Sequence, residues 1–184
     1  MQKIFFPLLT LFFFSCSEKT SGGASLNGQP LLKEGWVQYE NDSFTIQYPQ
    51  GWEATEDNQH GTLLIIKSKA ETESDEFLEN INVIMQDVSA FDLDLKEYTK
   101  ISEEQVSSFI TNSKILENKT LKNQTGEYQK LVYTGDQGKF NLQFEQYYWI
   151  KDEKAWVVTF TSEQKSYMSF KDAGDGILNS FYLK

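Results

Sequence analysis

Phe44-Thr45-Ile46-Gln47-Tyr48-Pro49-Gln50-Gly51-Trp52 alternates and then stops. Phe44, Ile46 and Tyr48 fall on one side of an extended chain, and Thr45 and Gln47 on the other. A period of two sets an apolar face against a core and a polar face towards water. Pro49 removes a backbone donor and closes the ladder. Gly51 permits a sharp turn, and Trp52 supplies a large apolar anchor just past it. The stretch reads as a strand with its own stop signal, and it carries no catalytic chemistry.

Working outward, residues 36–39 form a short strand that Asn41-Asp42-Ser43 joins to the first as a hairpin. Residues 54–61 read as a polar loop, and the continuous apolar run 62–67 as a buried strand. In the strand at 79–85, Ile81, Val83 and Met85 share a face. Asp94 opens a helix, with Glu97 in capping-box spacing. Its apolar stripe takes Leu95, Tyr98, Ile101 or Ser102, Val106, Phe109 and Ile110. A helix lying on a membrane wants a basic polar face, whereas this one is acidic, so it is expected to pack on a sheet.

A weak strand at 114–122 turns through Asn123–Gly126 into a strand at 127–133, where either Tyr128 and Val132 or Leu131 and Tyr133 face inward. Residues 134–138 read as a hairpin loop. In the long strand that follows, Phe140, Leu142, Phe144, Gln146 and Tyr148 share one face. The other face, from Asn141 to Trp149, turns from polar to aromatic. Residues 155–161 are apolar enough for a central strand. Ser162 is placed to cap the last helix, with Tyr167, Phe170, Ile177 and Phe181 inward. Gly174 and Gly176 either divide that helix or narrow its contact with a sheet. The later connections are too short for parallel crossovers, so the sheet should be largely antiparallel and the fold α+β.

The 184 residues include 14 Phe, 9 Tyr and 4 Trp, ample for one packed domain. A formal charge of −10 repels phosphate backbones and anionic headgroups, which argues against nucleic acid as a partner. At the start, Met1-Gln2-Lys3 is a short positive segment, and residues 4–14 are almost wholly apolar. That run is shorter than the ~20 residues of a spanning helix and reads as a signal sequence, residues 1–15. It ends at Phe13-Phe14-Ser15-Cys16, which resembles the lipobox of bacterial lipoproteins. The resemblance implies cleavage before Cys16 and acylation of that residue, anchoring the chain to a bilayer. Cys16 is the sole cysteine, so no intrachain disulfide forms. Loss of Lys3 takes the formal charge from −10 to −11. Ser17 in place of Asp implies the outer membrane by the same resemblance. Residues 16–34, rich in Ser, Gly and polar side chains, read as lipidated cysteine plus flexible tether, and 35–184 as the domain.

Phe-x-Ile-x-Tyr-Pro-x-Gly-Trp at 44–52, Glu79-Asn-Ile-Asn-Val83, the Tyr-rich strand pair and the closing Ile177-Leu-Asn-Ser-Phe181 resemble the PsbP-like superfamily. That group also holds the Ran-binding Mog family and bacterial DcrB-like lipoproteins. The resemblance covers 36–184. It implies an α/β/α sandwich, a central antiparallel sheet flanked by helices, in proteins that mostly serve as accessory or binding modules of larger assemblies.

Catalytic sets are hard to assemble from this sequence. His60, the one histidine, stands in a polar loop without a Gly-x-Ser-x-Gly elbow, and neither a Walker loop nor a Rossmann glycine pattern occurs. The acids Glu71, Glu73, Asp75 and Glu76 lack calcium-loop spacing and read as a solvated loop. Carboxylates are plentiful, but no spacing singles out two. Among the aromatics, most are core, and Trp52 and Tyr148 are the candidates to face a ligand. The expectation is a lipid-anchored envelope module, not an enzyme and without a cofactor, that binds another envelope protein. The alternative is an envelope hydrolase or a protein binding a sugar, peptide or metal through carboxylates or exposed aromatics.

Overall fold

The alternating stretch is a strand, and Pro49 ends it. The computed structural model describes residues 29–57, 59 and 61–184. The signal sequence, Cys16, most of the tether and His60 lie outside the described residues. In chain order the elements are β1 (Trp36–Glu40), β2 (Phe44–Pro49), β3 (Glu53–Glu56), β4 (Thr62–Lys67) and β5 (Asn80–Asp87). Then come α1 (Leu95–Phe109), β6 (Thr111–Asn123), β7 (Gly126–Gln137), β8 (Phe140–Lys151), β9 (Lys154–Glu163), α2 (Tyr167–Ser180) and β10 (Tyr182–Leu183). Seven strands pair antiparallel in the order β3-β4-β5-β9-β8-β7-β6, and β1-β2-β10 make a separate antiparallel sheet. The apolar run expected at the centre is there: β9 is the middle strand.

Strand alternation splits the core into two layers. On one face of the large sheet, Ile81, Val83, Tyr147, Trp149, Val158 and Phe160 pack with α2 and the small sheet. On the other, Leu131, Tyr133, Leu142, Phe144, Tyr148 and Val157 pack with Tyr98 and Val106 of α1. Tyr128 and Leu131 therefore both face inward, in opposite layers, as do Tyr147 and Tyr148. Each such buried side chain contributes about 1.5–3 kcal/mol of apolar burial. Gly174 does narrow the helix–sheet contact: a Cβ there would sit 2.5 Å from Phe160 Cδ1.

Several expectations are corrected. Thr45 and Gln47 do not face water but are buried. The Gln47 N–H donates to Ser180 Oγ of α2 (2.8 Å), its side-chain amide donates to the Pro30 carbonyl (3.0 Å), and its Oε1 accepts the Lys33 N–H (3.2 Å). The polar face of β2 is thus the clamp for residues 30–33. The polar loop contains β3, whose Ala54 packs on the core. The supposed loop 134–138 is mostly strand, because Gly135 marks a crossing rather than a turn: a Cβ there would collide with Ile110. Ser162 does not cap α2 but lies buried in β9. The N-cap is Ser166, whose hydroxyl donates to Glu79 Oε1 (2.7 Å). Phe109 and Ile101 are not part of the inner stripe of α1; they are exposed. The two-residue strand β10 completes a second sheet that the sequence pattern does not announce.

Candidate functional site

A capping box fixes where α1 starts: the Glu97 N–H donates to Asp94 Oδ1 (2.7 Å) and the Asp94 N–H to Glu97 Oε2 (3.1 Å). Tyr98, Thr99 and Val106 then fall inward, and α1 lies over β6, β7 and β8. On its β5 side this placement leaves a groove in two adjoining stretches of about 300 and 350 Å³, which share Gln86, Tyr98, Ser102 and Gln105. Phe109, Ile84, Tyr133 and Tyr148 wall the first; Phe91, Leu93 and Ile101 wall the second.

Four polar side chains of the groove, those of Tyr98, Tyr148, Gln146 and Ser102, donate within the protein. Tyr98 donates to Gln86 Oε1 (2.7 Å), Tyr148 to Gln146 Oε1, the Gln146 amide to Thr159 Oγ1 (3.0 Å), and Ser102 to the Tyr98 carbonyl (3.0 Å). Burial pushes the Tyr98 phenol up to about 12 and raises that of Tyr133. Burial, then the neighbouring Tyr133 and Tyr98, raises the Tyr148 phenol well above its ordinary value. These phenols stay neutral near pH 7 and supply no base. The large apolar side chains of the groove are offered outward beside the exposed Gln86, Asp87 and Gln105: Phe109 is 81% exposed, Phe91 69% and Ile101 40%. Large apolar side chains in one exposed strip mark an interaction surface more often than a solvated one.

The other flank of α1 carries a larger hollow of about 760 Å³, with Lys96, Lys100, Glu103 and Glu127 in its walls. There Thr120 donates to Gln129 (2.8 Å), Gln129 to Asn118, and Asn118 to Glu103, a relay that ties the β6–β7 hairpin to α1. Across the sheet, fully buried Glu145 of β8 pairs with Lys130 of β7 (2.8 Å) and accepts the Tyr167 hydroxyl of α2 (2.8 Å). Burial works to lower the Lys130 ammonium, but the contact and charge of Glu145 outweigh it and its pKa is raised. This cluster joins three elements and has no cleft of its own among the cavities described above.

Tyr148, one of the two aromatics expected to face a ligand, is buried and lines the floor of the α1 groove. Trp52 is on the opposite layer, edge-on to Phe170 of α2 (6.2 Å), so the two do not share a site. In the acidic stretch 71–76, Asp75 accepts the Glu71 and Phe77 N–H groups (3.0 and 3.2 Å), and Glu76 pairs with Lys139. Among the described residues no three His, Cys, Asp or Glu side chains converge as a metal site. Sequence reasoning missed Phe91, Gln105 and the outward role of Phe109. No signal in the sequence marks that outward turn, since adjacent helical residues can both face inward, as Tyr98 and Thr99 do here.

No family model matches the chain, and no curated protein is similar to it. Solved structures are. A cyanobacterial PsbP (CyanoP) from Synechocystis is 15% identical with a TM-score of 0.59, over 90% of this chain and 98% of that one. LpqN, involved in cell envelope biogenesis of Mycobacterium tuberculosis, is 9% identical with a TM-score of 0.58, over 81% and 89%. A protein of unknown function from Pseudomonas aeruginosa is 14% identical with a TM-score of 0.57, over 79% and 94%.

Proposed function

We propose that this chain, which has a PsbP-like fold, is a lipid-anchored accessory protein of a bacterial cell envelope, a non-catalytic module that docks another envelope protein along the β5 flank of α1. The layers are those of an α/β/α sandwich, with α1 on one face and α2 beside the small sheet on the other. One observation carries the docking role: the groove presents exposed Phe91, Ile101 and Phe109 over a floor in which Tyr98 and Tyr148 already donate within the protein. A site built for a small polar ligand keeps unpaired polar groups for it, whereas this one keeps apolar anchors. The lipobox-like Phe-Phe-Ser-Cys16 and the resemblance in fold to an envelope-biogenesis protein support the location, and Ser17 supports the outer membrane.

Two measurements test the proposal. Cells fed labelled palmitate should label the wild-type chain and not Cys16→Ala, which should leave the membrane fraction. Chemical crosslinking in intact cells should give a discrete heavier adduct with wild type that Phe91→Ser/Phe109→Ser loses. An unlabelled wild type removes the anchor; an adduct indifferent to both substitutions removes the docking face.

A further inference from the structure

We infer that the partner segment received by this groove is a cationic amphipathic helix. The inference rests on the docking role just proposed and names its partner's chemistry. Three features select a helix with that charge. β5 is paired on both sides, with β4 and with β9, so the groove offers no free edge to an added strand. Its anchors are side chains instead: Phe91 in the turn before α1, then Ile101 and Phe109 on the helix itself. Ile101 and Phe109 are eight residues apart, about 12 Å at 1.5 Å per residue, a run that about two turns of a partner helix would match.

The second feature is the charge around the strip. Asp87 is the one charged side chain in its walls. Asp92 lies between Phe91 and Leu93 of those walls. Glu104 stands three residues after Ile101 and next to Gln105 on α1. Lys96 and Lys100 line the hollow on the opposite flank. Lys154, registered opposite Asp87, is the nearby cation. The third is the helix end itself. α1 has no basic residue in its last turn to offset the partial negative charge of its C-terminus, where Phe109 projects. Apolar anchors, acids on the rim and a helix C-terminus with no basic residue in its last turn favour lysines or arginines flanking an apolar stripe.

The experiment uses the chain from residue 17 onward and three synthetic helical peptides with a fluorescent label. One has a Leu/Phe stripe with Lys on the polar face; the second has the same stripe with Glu; the third keeps the Lys and replaces the stripe by Ser. Anisotropy titration should show the first binding about tenfold or more tighter than either other, and weakening as salt rises. Phe91→Ser/Phe109→Ser, folded by circular dichroism, should lose about tenfold for the first peptide. Glu104→Lys should weaken the Lys peptide and strengthen the Glu peptide. Equal binding of the Lys and Glu peptides, equal binding of the Ser-stripe peptide, or wild-type affinity in the double variant would overturn the inference. So would sedimentation showing a dimer that the double variant breaks, which would make a second copy the occupant. A phenylalanine-dependent adduct in cells together with peptides that ignore charge sinks the partner class alone. Absence of any adduct that depends on Phe91 and Phe109 sinks the docking role itself.

Discussion

Replacing Glu145 by Gln isolates the strongest electrostatic commitment in the fold. Glu145 is fully buried, Lys130 Nζ lies 2.8 Å from Oε1, and Tyr167 donates to Oε2 at 2.8 Å. Gln keeps the size and an acceptor for Tyr167 but removes the charge. Lys130, with its side chain 15% exposed, is then left with Glu117 at 3.9 Å. Removing one partner of a buried pair costs about 3–5 kcal/mol, and the residual Glu117 contact points to the lower end, about 3 kcal/mol. Adding Lys130→Met removes the stranded ammonium and should recover at least half of that loss. The assay is urea unfolding followed by the fluorescence of Trp149 and Trp156, both buried beside this layer. The sign with pH follows from the raised Lys130 pKa. The stabilisation is complete below the ordinary value of 10.5 and is lost as pH rises through the higher folded value. The gap between wild type and Glu145→Gln should thus hold from neutral pH to about 10 and narrow only beyond it. A Glu145→Gln variant within about 1 kcal/mol of wild type, or a double variant no better than the single one, would refute the reasoning.

Three further outcomes follow from single contacts. Gly174→Ala gains about 1 kcal/mol of helix propensity yet should lose about 1–2 kcal/mol net by thermal melt, since its Cβ meets the immobile Phe160 ring; Phe160→Leu in the same chain should return part of it. Asp94→Ala should cost about 1 kcal/mol through the lost cap on α1, measured as a shift in the urea midpoint at unchanged slope. In an alkaline titration read by tyrosinate absorbance, Tyr98 should ionise near pH 12 rather than at its ordinary 10.0. Its contribution to stability should be complete below pH 10 and lost between 10 and about 12. A Tyr98→Phe chain that leaves the high-pH part of the curve unchanged would count against that assignment.

The elements that the sequence exposed most clearly are those whose side chains answer to one demand. β2 and β9 read as strands because a strand's faces alternate or are wholly buried, and the Asp94–Glu97 box reads as a helix start because both partners are local. Elements that depend on distant chain are less legible. β3 has four largely polar residues and exists because β4 offers it an edge. β10 has two residues and exists because β2 does. Gly135 looks like a turn glycine in sequence, and only the crossing of Ile110 shows its purpose. Thr45 and Gln47 look solvent-facing until Pro30, Lys33 and Ser180 are seen to satisfy the Gln47 amides. The groove was half legible. Tyr148 stands among the candidate aromatics of the sequence, but Ile101 and Phe109 are hidden inside a helical stripe, because the choice between Phe109 and Ile110 depends on where β7 passes.

The most direct test of the docking claim is a pair of photo-crosslinking side chains introduced one at a time in intact cells. One replaces Gln105, exposed on the α1 groove; the other replaces Met168, which is also exposed (76%) but on α2, across the sheet. The expected result is a discrete protein adduct from position 105, abolished by Phe91→Ser/Phe109→Ser, and none from position 168. Adducts of equal yield from both positions, or from 168 alone, would contradict it.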